Sequence, residues 1–242
     1  MKLLHVVATP RGTESATLRV SHALLERLES ACPGVLVETL DLFTTGLPDI
    51  AGQNIDVKYG LMAGQAVSPS GAESWRDVEE LIHQFMDADV CLISAPMWNF
   101  HIPYVLKYYI DGIVQPGYLF SYGDDGVPVG LCQGKTLVCV TSRGSDYSTG
   151  SPMHVLDLQE PYLRAIFGFV GISDIEFINV QPVDMGPERS ADAVADGIEA
   201  AVRLADDLAS TRPALAGGRL PVEPAPTRQA IRYGLDADID AR

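Results

Sequence analysis

The stretch Asp-Val-Cys-Leu-Ile-Ser-Ala-Pro-Met-Trp-Asn-Phe-His-Ile-Pro, residues 89–103, combines the two features that decide the fold. Its first half, through Ala95, is an almost unbroken apolar run of strand length. Such a run without alternation is typical of a strand buried on both faces, as in a parallel sheet. Its second half begins at Pro96 and is rich in aromatic and amide side chains. We expect a loop there, followed by a helix over 103–113.

Similar apolar runs recur along the chain, and helical periodicity fills the intervals between them. The predicted strands cover 3–9, 35–40, 89–95, 135–142 and 174–180. The predicted helices cover 15–30, 75–86, 103–113, 154–167 and a last stretch from about 187. This alternation indicates an α/β fold with a doubly wound, five-stranded parallel sheet covered on both faces. Strand order 2-1-3-4-5 fits best, because it brings the unusual loops after the first and third strands to the switch point where such sheets bind ligands.

The chain divides into one domain over 1–210 and a Pro/Ala-rich tail over 211–242. Within the domain, 44–74 is rich in Gly, Ser, Asn and Asp, and we expect a long loop with one short helix around 56–64. Alternating aromatic residues before Gly-Asp-Asp-Gly at 123–126 predict a β-hairpin.

Composition limits the possible partners and the location of the protein. A net charge of −15 among 242 residues disfavours electrostatic binding to nucleic acid or to an anionic membrane surface. The N-terminal apolar run is too short for a signal-peptide core, so we expect a cytoplasmic protein. The four cysteines form no Cys-x-x-Cys pair and are expected to be buried thiols. No cluster of residues has metal-ligand spacing, so no metal is expected.

The loop after the first strand has the composition of a phosphate site. Thr9, Ser15 and Thr17 supply hydroxyl groups, and Arg11 supplies a positive charge, where the first helix begins. A helix N-terminus offers free amides and a partial positive charge, which suit a phosphate. The alternative for Ser15 is a plain N-cap.

The loops after the third and fourth strands are suited to a flat ring. Met97, Trp98 and Phe100 can pack on a heteroaromatic ring, and Asn99 can pair with its polar atoms. The small residues around 141–145 allow a close approach of the backbone to the ring. The alternatives are a dimer-interface patch for the first of these loops and a plain turn for the second.

These three loops together resemble those of the FMN-dependent NADH-azoreductase family, relatives of the NAD(P)H:quinone reductases with a flavodoxin-like fold. The most specific stretch is Ala-Pro-Met-Trp-Asn-Phe-His-Ile-Pro at 95–103. Gly-Tyr-x-Phe-x-Tyr at 117–122, Thr-Ser-Arg-Gly at 141–144 and Pro-Tyr-Leu at 161–163 follow in the family's order. The resemblance covers roughly residues 1–205.

The resemblance implies an FMN cofactor, a homodimer and a set of site residues. The residues matching the cofactor-binding positions are Thr9, Arg11, Ser15, Ala16, Thr17, Pro96, Met97, Trp98, Asn99, Phe100, Ser142, Arg143, Gly144 and Ser145. Tyr122 matches an aromatic residue near the acceptor pocket, to which Trp98 and Phe100 also contribute. Two matches depart from the family pattern: Ser145 stands where a second glycine is common, and Thr9 replaces the usual serine.

By this resemblance we expect an enzyme that transfers two electrons from NADH or NADPH to a quinone or azo compound in a ping-pong cycle. Because the cofactor carries the chemistry, no catalytic side chain is assigned. The main alternative is a non-catalytic, flavodoxin-like electron carrier, for which the acidic surface suits a basic partner. A hydrolase and a binding module that has lost FMN are further alternatives.

Overall fold

The computed structural model describes residues 1–65 and 67–211. The strands are β1 (Lys2–Val7), β2 (Leu36–Asp41), β3 (Val90–Pro96), β4 (Phe120–Tyr122), β5 (Pro128–Gly130), β6 (Thr136–Ser142) and β7 (Asp174–Val180). The helices are α1 (Ala16–Ala31), α2 (Gln53–Met62), α3 (Pro69–Asp87), α4 (Tyr104–Ile113), α5 (Gln159–Phe169) and α6 (Pro187–Thr211). The five predicted sheet strands are therefore present, within two residues of their expected ends.

The central sheet has the order β2-β1-β3-β6-β7, and all of its neighbouring strands run parallel. The short strands β4 and β5 pair antiparallel in a separate hairpin, as the Gly-Asp-Asp-Gly signal predicted. With that hairpin set aside, the order is the predicted 2-1-3-4-5. The carboxyl ends of β1, β3 and β6 therefore lie side by side at the switch point.

Helices cover both faces of the sheet, and each face has its own apolar core. Successive strand residues point to opposite faces, so Leu3 packs under α1 and α6 while Leu4 packs under α3, α4 and α5. Strand residues such as Ile93 and Val138 are fully buried. This burial on two sides explains why the strand sequences are continuous apolar runs instead of alternating ones.

The segment 44–74 contains the expected short helix, as α2, but its loop ends earlier than expected. The helix α3 begins at Pro69 instead of near 75. The Ser68 hydroxyl accepts a hydrogen bond from the amide of Gly71 at 3.1 Å, and Pro69 occupies a first-turn position that needs no amide donor. Ser-Pro was thus a helix start signal.

The helix predicted over 154–167 begins later than expected. Residues His154–Leu156 form a separate 3₁₀ turn, and α5 starts at Gln159. The break occurs because the Asp157 carboxylate accepts hydrogen bonds from the amides of Gln159 and Glu160, at 3.1 and 3.2 Å. These bonds satisfy amides that a continuous helix would have used internally.

The cysteine prediction is confirmed, since all four thiols are free and buried. Burial raises the pKa of the Cys91 thiol to about 12 and that of Cys132 to about 11, so neither is a ready nucleophile.

Over residues 1–65 and 67–211, no helix combines the length and the apolar character needed to cross a membrane. The predicted tail lies outside the described residues from 212 onward, and Thr211 ends α6.

Candidate cofactor cleft

The three predicted loops meet in one cleft of about 320 Å³ at the carboxyl ends of β1, β3 and β6. Each loop contributes side chains to its wall. The predicted residues that line it are Thr9, Arg11, Ser15, Ala16, Pro96, Met97, Trp98, Ser142 and Gly144. Because these loops are far apart in sequence, their convergence supports the interpretation of all three as parts of one site.

The start of α1 forms one end of the cleft. The Ser15 hydroxyl accepts a hydrogen bond from the amide of Leu18 at 3.3 Å, so Ser15 is an N-cap. It also lines the cleft, and the Thr9 hydroxyl donates to it at 3.4 Å. The capping and binding interpretations of Ser15 are therefore compatible. The exposed Arg11 stands beside them, and this end of the cleft suits a phosphate.

Two charged residues at this end were not predicted from the sequence. Arg19 lies on α1 one turn beyond Ser15 and lines the cleft, and Glu14 lines it from the 3₁₀ turn before the helix. The i, i+4 spacing from a predicted phosphate residue was the signal that could have identified Arg19. Arg11 and Arg19 thus bring two positive charges to the cleft of an acidic protein, and the carboxylates of Glu14 and Asp184 line the cleft as well.

Thr17 supports the cleft from below and does not line it. It is fully buried, and its hydroxyl donates to the Ser142 hydroxyl at 2.8 Å, which ties α1 to the end of β6.

A second buried polar group lies deeper under the same helix. The ring nitrogen Nε2 of His5 lies 2.8 Å from the Ser94 hydroxyl, and Ser94 lies 2.6 Å from the Ser21 hydroxyl. Burial lowers the pKa of His5 to about 4.

The loop after β3 contains a tight turn of unusual conformation. The amide of Trp98 donates to the carbonyl of His101 at 2.9 Å, and the reverse bond has the same length. Between them, Asn99 and Phe100 have φ values of 48° and 68°. Asparagine tolerates this left-handed region, but a bulky residue such as phenylalanine is strained there. The turn projects at the rim of the cleft, and its two central residues are exposed.

The loop after β6 separates into residues that face the cleft and one that faces the interior. Ser142 and Gly144 line the cleft. Between them, the Arg143 side chain is 2% exposed and its Nη1 lies 2.9 Å from the Asp157 carboxylate. The Arg143 guanidinium is thus engaged inside the protein. Its backbone is engaged as well, because its amide donates to the carbonyl of Val180 at 3.0 Å and its carbonyl accepts from the amide of Val183 at 2.9 Å.

Gly144 permits a close approach by the chain that follows β7. A Cβ atom at this position would lie 2.6 Å from a carboxylate oxygen of Asp184, whose amide donates to the Gly144 carbonyl at 3.0 Å. The sequence pattern did not indicate this side of the cleft, although the end of β7 lies at the same sheet edge. The lining residues on this side are Val183, Asp184, Ser190 and Val194, and Pro10 is a further lining residue in the loop after β1.

Six predicted site residues do not line the cleft: Thr17, Asn99, Phe100, Arg143, Ser145 and Tyr122. Asn99 and Phe100 lie on the adjacent turn. Tyr122 lies in the β4–β5 hairpin, where its ring packs against Phe120 at a centroid distance of 5.6 Å. Tyr122 is thus part of a separate surface of the same chain.

An aromatic cluster adjoins the cleft at Trp98. Phe43, which follows β2, lies 6.0 Å from Trp98 between ring centroids, and Tyr104 lies 6.1 Å from Phe43 and 6.3 Å from Trp98. Tyr104 is 69% exposed at the start of α4. These three rings form a surface that can stack a flat molecule. We call them the aromatic cluster.

A larger groove of about 980 Å³ lies at the edge strand β2, between it and α3. None of the predicted site residues lines it. Its wall carries the carboxylates of Glu38, Asp49, Asp77, Glu80 and Asp87. These charges disfavour a phosphorylated ligand, so the smaller cleft at the switch point is the better candidate for the functional site.

Comparison with known proteins agrees with this geometry. A quinone oxidoreductase described as FMN-dependent, from Desulfotalea psychrophila, is 34% identical over 86% of this chain and 98% of its own length. A protein with the same description from a Bradyrhizobium species is 39% identical over 85% of this chain and all of its own. Both are described as NADH:quinone oxidoreductases.

Solved structures give the same result. An azoreductase from Bacillus anthracis superimposes with a TM-score of 0.77 at 26% identity, covering 86% of this chain and 99% of the other. An FMN-dependent NADH-azoreductase from the same species, crystallised with FMN, gives a TM-score of 0.73 at 27% identity, covering 84% and 99%. The family described as having a flavodoxin-like fold matches residues 1–204, and the chain belongs to that family.

Proposed function

We propose that this protein is an FMN-dependent oxidoreductase that transfers two electrons from NADH or NADPH to a quinone or azo compound. The observation that carries the proposal is the single cleft in which the loops after β1, β3 and β6 converge. The relatives named as FMN-dependent NADH:quinone oxidoreductases support it, because the similarity extends over 85–86% of this chain.

The residues around the cleft fit FMN. Arg11, Arg19, the hydroxyl groups of Thr9 and Ser15, and the α1 N-terminus would hold the phosphate. Pro96, Met97 and Trp98 offer an apolar wall for the ring system, and Gly144 lines the same cleft with Asp184 packed against it. Ser142 lies between these two ends. When bound, FMN supplies two-electron transfer, which no side chain in the cleft provides by itself.

The aromatic cluster supports flat acceptors such as quinones and azo compounds. Trp98 belongs both to the cleft wall and to the aromatic cluster, so a stacked acceptor would lie next to the cofactor ring. A nicotinamide ring is also flat, and we propose that donor and acceptor use this surface in turn. That arrangement predicts a ping-pong cycle, with Phe100 at the rim of the shared surface.

We also propose a homodimer, as the resemblance implies. Apolar side chains are exposed around the turn and before α5: Phe100 is 40%, Leu158 is 52% and Val155 is 79% exposed. A patch of this kind beside a functional cleft is typical of a protein–protein interface. Sedimentation velocity would show a dimer of twice 26.1 kDa if the proposal is right, and a monomer would contradict it.

The cytoplasmic location expected from the sequence fits an enzyme that uses NAD(P)H.

The function is tested by steady-state kinetics of NADH oxidation with a soluble quinone as acceptor. We expect FMN-dependent turnover, and parallel lines in double-reciprocal plots at several quinone concentrations, because donor and acceptor alternate at one site. Intersecting lines would contradict the ping-pong cycle alone. A protein that binds FMN but shows no turnover with any quinone or azo compound would favour the electron carrier instead.

A further inference from the structure

Residues 157–159 connect the two loops that would hold the cofactor ring. This segment, which we call the bridge, lies between the 3₁₀ turn at His154–Leu156 and the first turn of α5. None of its residues lines the cleft. It nevertheless contacts the loop after β6 on one side and the loop after β3 on the other.

The first contact anchors the bridge to the loop after β6. The buried Arg143 guanidinium pairs with the Asp157 carboxylate at 2.9 Å, and Asp157 is itself only 9% exposed. Glu160 adds a longer charge contact to Arg143 at 3.6 Å. The other oxygen of Asp157 accepts the amides at the start of α5. One carboxylate thereby fixes the helix start relative to the residue between Ser142 and Gly144.

The second contact holds the loop after β3. Gln159 is fully buried, and its Nε2 donates to the carbonyl of Pro96 at 3.0 Å and to that of Ala95 at 3.4 Å. The amide of Leu158 donates to the carbonyl of Phe100 at 3.0 Å. These bonds hold both the end of β3, from which the loop starts, and the strained turn.

We propose that Gln159, fixed by the Asp157–Arg143 pair, is a positioning residue that preforms the ring-binding loop before FMN arrives. The left-handed conformations of Asn99 and Phe100 persist only if surrounding contacts impose them. Without the Gln159 donors, the loop would populate other conformations, and FMN would have to select the competent one. The apparent affinity falls by the fraction of molecules that are competent. This inference rests on the proposed binding of FMN.

The test compares Gln159→Met, which preserves length and bulk without a donor, with Gln159→Glu, whose carboxylate also repels the two carbonyls. The matched control is Gln84→Met, because the Gln84 side chain donates to Glu38 at 2.7 Å on an exposed surface away from the cleft. We expect the dissociation constant for FMN to rise about 10-fold in Gln159→Met, and further in Gln159→Glu. Gln84→Met should bind as the wild type does.

Hydrogen exchange of the full chain without FMN tests the positioning directly. The amide of His101 donates to the carbonyl of Trp98, so its exchange reports on the turn itself. In Gln159→Met this amide should exchange at least several-fold faster, while amides in β3 keep their protection. That outcome distinguishes a local loosening of the loop from general destabilisation, which would raise exchange in both.

The possible outcomes separate this inference from the proposed function. If the wild type does not bind FMN, the proposed function fails. If the wild type binds FMN, but Gln159→Met has the same dissociation constant and the same His101 exchange rate, the positioning role is wrong. If Gln159→Met loses protection throughout β3 as well, Gln159 acts on overall stability and the inference is also overturned.

Discussion

Trp98 and His101 exchange two backbone hydrogen bonds of 2.9 Å and so close a two-residue turn at the rim of the cleft. The hairpin turn of this length that matches strand twist requires positive φ at both central positions. Asn99 suits its position, whereas Phe100 does not. A strained residue beside a ligand-binding cleft is consistent with a conformation maintained for binding.

The turn predicts a difference between two substitutions at Asn99. Asn99→Gly keeps the left-handed conformation accessible, whereas Asn99→Ala makes it costly by about 1 kcal/mol. We expect the free energy of unfolding of the FMN-free protein to fall by that amount in Asn99→Ala only. Urea denaturation measures it. Equal stability of the two variants would show that the turn relaxes at no cost.

The phosphate end of the cleft predicts a ligand-specific effect of Arg11→Gln. Loss of a charged hydrogen-bond donor should raise the dissociation constant for FMN about 10-fold or more. Binding of riboflavin, which has no phosphate, should be unchanged. The charge-matched control is Arg76→Gln on an exposed part of α3. An equal loss for riboflavin and FMN would place Arg11 away from the phosphate.

The aromatic cluster predicts that Phe43→Leu affects the acceptor more than the cofactor. An aromatic pair contributes about 0.5–1.5 kcal/mol beyond its buried area, so KM for a quinone should rise about 2- to 10-fold. Ferricyanide, which does not stack, serves as the control acceptor, and its reduction rate should not change. An equal effect on both acceptors would indicate that Phe43 only supports the fold.

The buried His5 predicts a loss of stability in weak acid. Burial lowers its pKa to about 4, with a smaller contribution from the nearby His22, while an unfolded histidine has a pKa near 6.5. The unfolded chain therefore binds the extra proton first as the pH falls from about 6.5 to about 4. Across that window this residue should remove up to about 3 kcal/mol of the unfolding free energy.

Urea denaturation of the wild type and His5→Asn at pH 7 and pH 4.5 measures this effect. The difference in stability between the two proteins should shrink as the pH falls, because asparagine cannot take up the proton. A difference that is the same at both pH values would mean that His5 does not titrate in this window.

Two glycines predict opposite effects of the same substitution. A Cβ atom on Gly130 would lie 2.2 Å from the amide nitrogen of Gly171, a backbone atom that cannot move aside cheaply. On Gly168, in α5, a Cβ atom meets nothing within 4 Å. We expect Gly130→Ala to destabilise the fold by several kcal/mol. Gly168→Ala should stabilise it by up to about 1 kcal/mol, because alanine favours the helix. Thermal unfolding of both variants checks the signs.

The sheet could be predicted from the sequence because its strands are buried on both faces. A continuous apolar run such as the one through Ile93 identifies a strand that is buried on both faces. The unusual loops that follow these strands indicate the edge of the sheet where a ligand binds. The start of α3 was also present in the sequence, as Ser68-Pro69, but the polar composition around it favoured a loop. The polar composition predicted a loop at this point, but the Ser68 cap and the first-turn Pro69 start a helix there.

The supporting contacts of the cleft could not be predicted, since they depend on how distant segments pack. Nothing near Arg143 in sequence indicates that its side chain turns inward, because its partner Asp157 lies on a later segment. Gln159 is a single polar residue in a helical pattern, and only the packing of α5 against β3 gives it carbonyl partners. Asp184 approaches Gly144 for the same reason.

The central claim is most directly tested by anaerobic titration of the FMN-loaded protein with NADH, followed by visible absorption. We expect the purified protein to retain FMN, the flavin absorption to bleach in a single step with one NADH per flavin, and a quinone to restore it. A protein that retains no FMN after reconstitution, or whose bound flavin is not bleached by NADH or NADPH, would contradict the proposed function.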